Sequence, residues 1–183
     1  MIDIGAIMRT GSVIPVLVVH DAADARPLAE ALVRDGFGVV EVTLRTDCAL
    51  EAIAEMRKVD DVIVGAGTVL NAGQLNACAA AGAQFAVSPG LTEPLARAAH
   101  AAGMPFLPGV ANAGDIMRGL DLGIDHFKFF PAEASGGIAA LKALAAPFAE
   151  CRFCPTGGIT EETAADWLAL DSVLCVGRSW RGG

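Results

Sequence analysis

Residues 39–65 read VVEVTLRTDCALEAIAEMRKVDDVIVG. Val39–Leu44 is rich in β-branched residues, which suit a pleated strand. Asp47 to about Arg57 is an Ala- and Leu-bearing helical stretch, and Val62–Gly65 is a β-branched run again. A strand, a helix and a second strand this close together predict a parallel βαβ unit.

The unit repeats outward in both directions. Before it, the reading predicts a strand over Val13–Val19 and a helix over Ala22–Arg34. After it come a helix over Asn71–Ala81, a strand over Gln84–Val87 and a helix over Thr92–Ala102. Then come Pro105–Leu107 and Asn112–Leu122, His126–Phe129 and Gly137–Leu144, and Arg152–Cys154 and Glu161–Leu168. An eighth strand is expected over Ser172–Val176, with almost nothing after it. Punctuation agrees. Gly36, Gly82, Gly103 and Gly123 follow helical stretches, where a left-handed cap suits glycine. Asp47, Asn71, Thr92 and Asn112 stand at expected N-caps. Eight alternating units predict a closed (β/α)₈ barrel, the alternative being an open doubly wound sheet. Residues 1–183 are read as one barrel domain with a short helix over residues 2–10.

At 183 residues the chain is short for this fold, whose members run to about 250 residues. The barrel is expected to lack its final helix. The outer face of strands eight and one must then be covered by the N-terminal segment or a neighbouring subunit, or stay exposed. Lower stability than that of a longer relative is expected to follow.

Composition narrows the function. The net charge of −8 argues against nucleic acid and anionic membrane partners, which are bound by clustered Lys and Arg. No apolar run reaches the ~18 residues of a membrane span, and no basic segment followed by an apolar one opens the chain, so no secretion signal is expected. Five scattered cysteines point to reduced thiols in the cytoplasm. Cys151 and Cys154 form a C-x-x-C, but residues three apart on a strand face opposite ways. Nothing completes a metal site, so no metal is expected.

Two strands carry charge where a parallel sheet is ordinarily apolar. In Val39-Val40-Glu41-Val42-Thr43-Leu44-Arg45, alternation puts Val40, Val42 and Leu44 on one face and Glu41, Thr43 and Arg45 on the other. In His126-Phe127-Lys128-Phe129-Phe130, it puts His126, Lys128 and Phe130 together. Of the chain's lysines, Lys58 and Lys142 can reach water, and Lys128 has no such outlet. A buried amine without its proton attacks ketones and forms Schiff bases. A carboxylate beside it can move protons, and Arg45 can grip a substrate carboxylate with two prongs. The alternative is a structural Lys128–Glu41 ion pair filling the lumen.

Thr156-Gly157-Gly158 and Gly177-Arg178-Ser179 read as glycine-bearing turns after strands seven and eight. In barrels these loops often bind phosphate through backbone N–H groups. Arg178 adds charge there or crowds the site. Gly65-Ala66-Gly67-Thr68 lacks the third glycine of a dinucleotide fingerprint, and Thr68 is read as a pocket residue at the end of strand three. Ser88-Pro89-Gly90 is a rim turn. His20 and His100 are expected at the surface, and His126 as lumen filler.

The stretches Glu41–Thr46, Gly65–Thr68, Ser88–Gly90, Phe127–Glu133 and Cys154–Ile159 together resemble the 2-keto-3-deoxy-6-phosphogluconate (KDPG) and 4-hydroxy-2-oxoglutarate (KHG) aldolases, over essentially the whole chain. The resemblance implies a cytoplasmic, metal-independent class I aldolase, a carbon–carbon lyase that is usually a homotrimer. It implies cleavage of KDPG to pyruvate and D-glyceraldehyde 3-phosphate, the last step of the Entner–Doudoroff pathway, with no cofactor. Lys128 would be the Schiff-base lysine and Glu41 the general acid/base. Arg45 and Thr68 would hold the pyruvyl carboxylate, Pro89 and Phe130 would line the pocket, and Thr156 would meet a substrate hydroxyl. Gly157, Gly158 and Ser179 would bind phosphate. In the family a second glycine stands where this chain has Arg178. Two other readings stay open: cleavage of KHG to pyruvate and glyoxylate, and a non-catalytic trimeric scaffold, for which buried charge has no use.

Overall fold

The computed structural model describes residues 3–180. After helix α1 (Ile4–Met8), strands β1 (Val13–Leu17), β2 (Val39–Thr43), β3 (Ile63–Gly67) and β4 (Phe85–Val87) alternate with helices α2 (Ala25–Arg34), α3 (Ala49–Met56), α4 (Ala72–Ala80) and α5 (Glu93–Ala101). Pro108 splits the fifth stave into β5 (Phe106–Leu107) and β6 (Gly109–Val110). Then follow α6 (Ala113–Asp121), β7 (His126–Phe129), α7 (Gly137–Ala145), β8 (Arg152–Pro155), α8 (Glu161–Leu168) and β9 (Val176–Ser179).

All paired strands are parallel, in the orders β5-β4-β3-β2-β1-β9 and β6-β7-β8. Pro108 joins the two groups on one side, and the bridge Thr156↔Gly177 joins β8 to β9 on the other. The result is a (β/α)₈ barrel.

Its apolar residues fall into three clusters. One lies between β1–β5 and their helices, and includes Leu17, Val40, Val42, Ile53, Met56 and Leu75. A second lies outside β7–β9, around Phe127, Phe129, Phe153 and Trp167. The third fills the lumen with Ile14, Val39, Phe85, Val87, Leu107, Cys154 and Cys175, and also takes Ile7 and Met8 of α1. The N-terminal helix therefore plugs the barrel floor. It does not cover the outer face of strands eight and one. There Trp180 meets Phe37 edge-on at 4.9 Å.

Asp3 caps α1 by accepting from Ala6 N–H, so the helix expected over residues 2–10 is shorter, and residue 2 lies outside the described residues. Asn71 and Asn112 cap α4 and α6 as expected. Thr92 holds the cap position of α5 without a side-chain bond. Asp47 does not cap α3, which starts later, after Cys48. Gly36, Gly82, Gly103 and Gly123 all take positive φ.

The eighth stave departs most from expectation. Ser172–Val176 is only its first half, held to β8 by the bridge Phe153↔Val173 and by Phe153 N–H donating to Ser172 O. The second half is β9, paired to β1 in the register Val13↔Val176 to Val16↔Ser179. The stagger of a barrel makes each stave meet its two neighbours at different heights. Gly177, Arg178 and Ser179 are thus strand residues and do not form a turn. The segment 181–183 lies outside the described residues.

Candidate active site

Lys128 sits in the middle of β7 and Glu41 in the middle of β2, on opposite sides of the barrel axis in strand order. Both face the lumen, 6% and 4% exposed. Lys128 Nζ donates to Glu41 Oε1 at 3.3 Å. The Nζ also stands 5.2 Å from the centre of the Phe130 ring, where the negative face of the π-system favours a cation. The three side chains that alternation put on two inner faces therefore meet at one point.

Thr156 completes this level of the lumen. It follows β8, is buried, and its Oγ1 donates to Cys154 O at 3.4 Å. Cys154 is the register partner of Lys128. Its thiol is held below the usual range by the Cys175 thiol that hydrogen-bonds it, and secondarily by the Lys128 charge and Thr156. The Cys175 thiol is pushed up by the same hydrogen bond and by burial. Cys151 belongs to the outer cluster and Cys154 to the lumen, as a three-residue spacing on a strand requires. Among the described residues no group of His, Cys, Asp and Glu side chains has the arrangement to hold a metal ion.

The mouth is formed where strands end, as in other barrels. Thr68 follows β3 with φ of 60°, a left-handed conformation that costs a β-branched residue energy and persists where surrounding structure enforces it. Ser88 is buried after β4, and its Oγ donates to Gly90 O at 2.7 Å, which fixes the turn that carries Pro89 at the surface. The inner-face reading of Arg45 is corrected: the strand stops at Thr43, and Arg45 stands exposed in the following loop, at the barrel mouth.

The phosphate candidates divide in two. Gly157 and Gly158 have φ of 102° and 85°, so the β8–α8 turn demands glycine. This turn is pinned to the β7–α7 segment by Ala132 N–H donating to Thr156 O and Glu133 N–H to Gly157 O. Glu133 in turn accepts from Trp167 Nε1 at 3.1 Å. Alternation from the buried Val176 turns Arg178 to the outer face of β9, where Nη1 lies 3.3 Å from Glu161 Oε2 and the guanidinium stacks over Trp180 at 5.4 Å. Arg178, Gly158 and Ser179 nevertheless line one open cleft of about 600 Å³, together with Thr160, Glu161 and Glu162. Thr160 caps α8 at its edge. The Glu162 carboxyl is held below its usual range by the Thr160 hydrogen bond first and by Arg178 last.

His20 and His100 are exposed as expected. His126 sits at the floor, with Nδ1 2.6 Å from Asp125 Oδ1.

A family profile described as KDPG and KHG aldolase matches residues 4–182. The 2-dehydro-3-deoxy-phosphogluconate aldolase of Zymomonas mobilis is 58% identical over 180 residues, covering 98% of this chain and 86% of its own. The chain belongs to the KDPG and KHG aldolase family. It is an aldolase, a carbon–carbon lyase. A crystal structure of the KDPG aldolase of Z. mobilis with 3-phosphoglycerate superposes with a TM-score of 0.97 at 57% identity, covering 99% of this chain and 88% of that one. The KDPG aldolase of Legionella pneumophila, solved with pyruvate as a covalent carbinolamine intermediate, gives a TM-score of 0.94 at 47% identity, covering 98% and 87%. That aldolase thus carries pyruvate covalently on a barrel that superposes closely on this one.

Two structural features around the candidate site escape a reading of the sequence. Gly177 has no room for a side chain, because a Cβ there would stand 2.3 Å from Thr156 Oγ1. Glu133 ties the glycine turn to Trp167. Both depend on residues distant in the chain, and no local pattern announces them.

Proposed function

We infer that this aldolase cleaves KDPG to pyruvate and D-glyceraldehyde 3-phosphate through a Schiff base on Lys128. The observation that carries the reading is the buried Lys128–Glu41 pair, 3.3 Å apart inside the barrel. A buried ion pair contributes little net stability, because desolvation offsets the attraction. A nucleophile beside a proton carrier is a working pair.

Lys128 passes a proton to Glu41, the free amine attacks the C2 ketone, and a proton moves from the nitrogen to the carbonyl oxygen to give a carbinolamine. Glu41 delivers a proton to the departing hydroxyl, water leaves, and the iminium forms. Glu41, now a carboxylate, accepts the proton of the C4 hydroxyl. The C3–C4 bond breaks, its electron pair moves into the enamine, and the aldehyde departs. Protonation at C3 and hydrolysis release pyruvate and the amine. Every bond change is supplied by the side chains and water, so the reading needs no metal or cofactor.

Arg45 and Thr68 at the mouth are assigned the pyruvyl carboxylate, Pro89 and Phe130 the pocket wall, and Thr156 a substrate hydroxyl. Gly157, Gly158, Arg178 and Ser179 are assigned the phosphate. The Z. mobilis aldolase crystallised with 3-phosphoglycerate supports a phosphate-bearing substrate by analogy. The same reading takes the chain as one barrel domain, assembled as a homotrimer. It assigns the enzyme to the cytoplasm, with which its five free thiols agree. No helix among the described residues is long and apolar enough to cross a membrane.

The test is to measure pyruvate release from KDPG and from KHG. The reading expects turnover of both, with the larger kcat/KM for KDPG. Equal kcat/KM would count against a working phosphate site. Turnover of KHG alone would favour the non-phosphorylated substrate.

A further inference from the structure

The third stave carries no side chain inward at the catalytic level. Along Ile63–Gly67, Gly65 and Gly67 face the lumen, and the two serve different neighbours. A Cβ at Gly65 would stand 2.2 Å from the Phe85 ring, so that glycine makes room for core packing. A Cβ at Gly67 would stand 2.1 Å from Glu41 Oε1, and 2.7 Å from both Cδ and Cγ of the same side chain. Gly67 is not among the residues with positive φ. Its backbone would admit any residue, and only space requires glycine there.

Neither partner has somewhere to go. The Gly67 carbonyl accepts from Leu44 N–H at 2.9 Å, and Gly67 is the register partner of Thr43, so β3 is held against β2. The next residue, Thr68, is already in a left-handed conformation. Glu41 is buried, and its Oε1 is engaged by Lys128 Nζ. Close-packed interiors do not absorb an added methyl without displacing something. The displaced group here would be the carboxylate.

We propose that Gly67 is a positioning residue for the aldol cleavage: its missing side chain lets the Glu41 carboxylate lie against the backbone of β3, within reach of Lys128. The proposal rests on the Lys128–Glu41 chemistry inferred above. Gly67 acts only through Glu41.

The test is a double-mutant cycle with Gly67→Ala, Glu41→Ala and the double variant. Each is assayed for KDPG cleavage, for its thermal unfolding midpoint and for the adduct that pyruvate and borohydride leave on Lys128. Gly67→Ala is expected to lower kcat on the order of 100-fold, as misplacement by about an ångström does, with a much smaller change in KM. It is also expected to lower the unfolding midpoint by several degrees. Glu41→Ala removes the three atoms that the new methyl would strike. In that background Gly67→Ala should cost neither residual activity nor midpoint. Losses of equal size in both backgrounds would overturn the proposal, as would an unchanged kcat in the single variant. If Gly67→Ala alone fails to fold, the double variant must fold as well as Glu41→Ala does, and a double variant that unfolds where Glu41→Ala folds overturns the proposal. Absence of a Lys128 adduct in the unmutated protein would instead overturn the underlying chemistry, while leaving the coupling between positions 67 and 41 readable in the midpoints.

Discussion

Lys128 Nζ and Glu41 Oε1 lie 3.3 Å apart although 87 positions separate them in the chain. Strands β2 and β7 bring them together, and both are nearly sealed from solvent. Removing one partner strands the other in a low-dielectric lumen, which costs about 3–5 kcal/mol for a charged survivor. Lys128→Met should therefore abolish cleavage and lower the unfolding midpoint. The double variant Lys128→Met, Glu41→Leu should recover most of that stability and none of the activity. Chemical denaturation beside a pyruvate-release assay checks both. A double variant as unstable as the single one would mean the pair is held for structure.

Thr68 stores backbone strain at φ of 60°. A left-handed conformation costs a non-glycine residue on the order of 1–2 kcal/mol, and glycine avoids that while losing about 0.5–1 kcal/mol to chain entropy. Thr68→Gly is expected to leave the unfolding midpoint unchanged or slightly raised, and to raise KM if, as proposed, its hydroxyl holds the substrate carboxylate. A lower midpoint with an unchanged KM would remove Thr68 from the binding site.

Arg178 pairs with a Glu161 side chain that is 86% exposed. Exposed pairs contribute only about 0–1 kcal/mol, but Arg178 itself is largely covered and stacks over Trp180, so Arg178→Ala should lower the midpoint modestly through lost packing rather than lost charge. It removes the positive charge from a cleft that also holds Glu161 and Glu162. The KM for KDPG should rise severalfold while the KM for KHG stays put. Unchanged values for both substrates would assign Arg178 to the outer face alone.

Alkaline stability follows from two buried thiols. Burial pushes the Cys78 thiol from 9.0 to about 11. Burial first, then Glu150 and Asp125, push the Cys151 thiol to about 11. Above pH 9 the unfolded chain loses these protons while the folded chain keeps them, so stability falls as pH rises. The contribution is complete below pH 9 and is lost by about pH 11. Unfolding midpoints measured from pH 8 to 11 should decline, and Cys78→Ala should flatten part of the slope at the cost of a cavity. An identical slope in Cys78→Ala would assign the decline to other groups.

The barrel and its buried Lys128–Glu41 pair were legible because their signals are local. Alternation in Val39–Arg45 and His126–Phe130 put Glu41, Lys128 and Phe130 inside, and asparagine caps marked α4 and α6. The signal failed where long-range pairing decides. Gly177-Arg178-Ser179 has little strand propensity and is a strand only because β1 lies beside it. Arg45 continued the alternation on paper, but the strand ends before it and the side chain stands in solvent. The destination of α1 was hidden for the same reason, since Ile7 and Met8 match a lumen assembled from six strands. Gly67 shows the limit most plainly, because an absent side chain acquires meaning only from Glu41 on the neighbouring strand.

The most direct test is to trap the covalent intermediate. The protein is incubated with pyruvate, reduced with borohydride, digested and mapped by mass spectrometry. The expected result is one reduced pyruvyl adduct on Lys128, absent from a folded Lys128→Ala variant. A folded protein with no adduct, or with its adduct on Lys58 or Lys142, would contradict the Schiff-base chemistry inferred for this barrel.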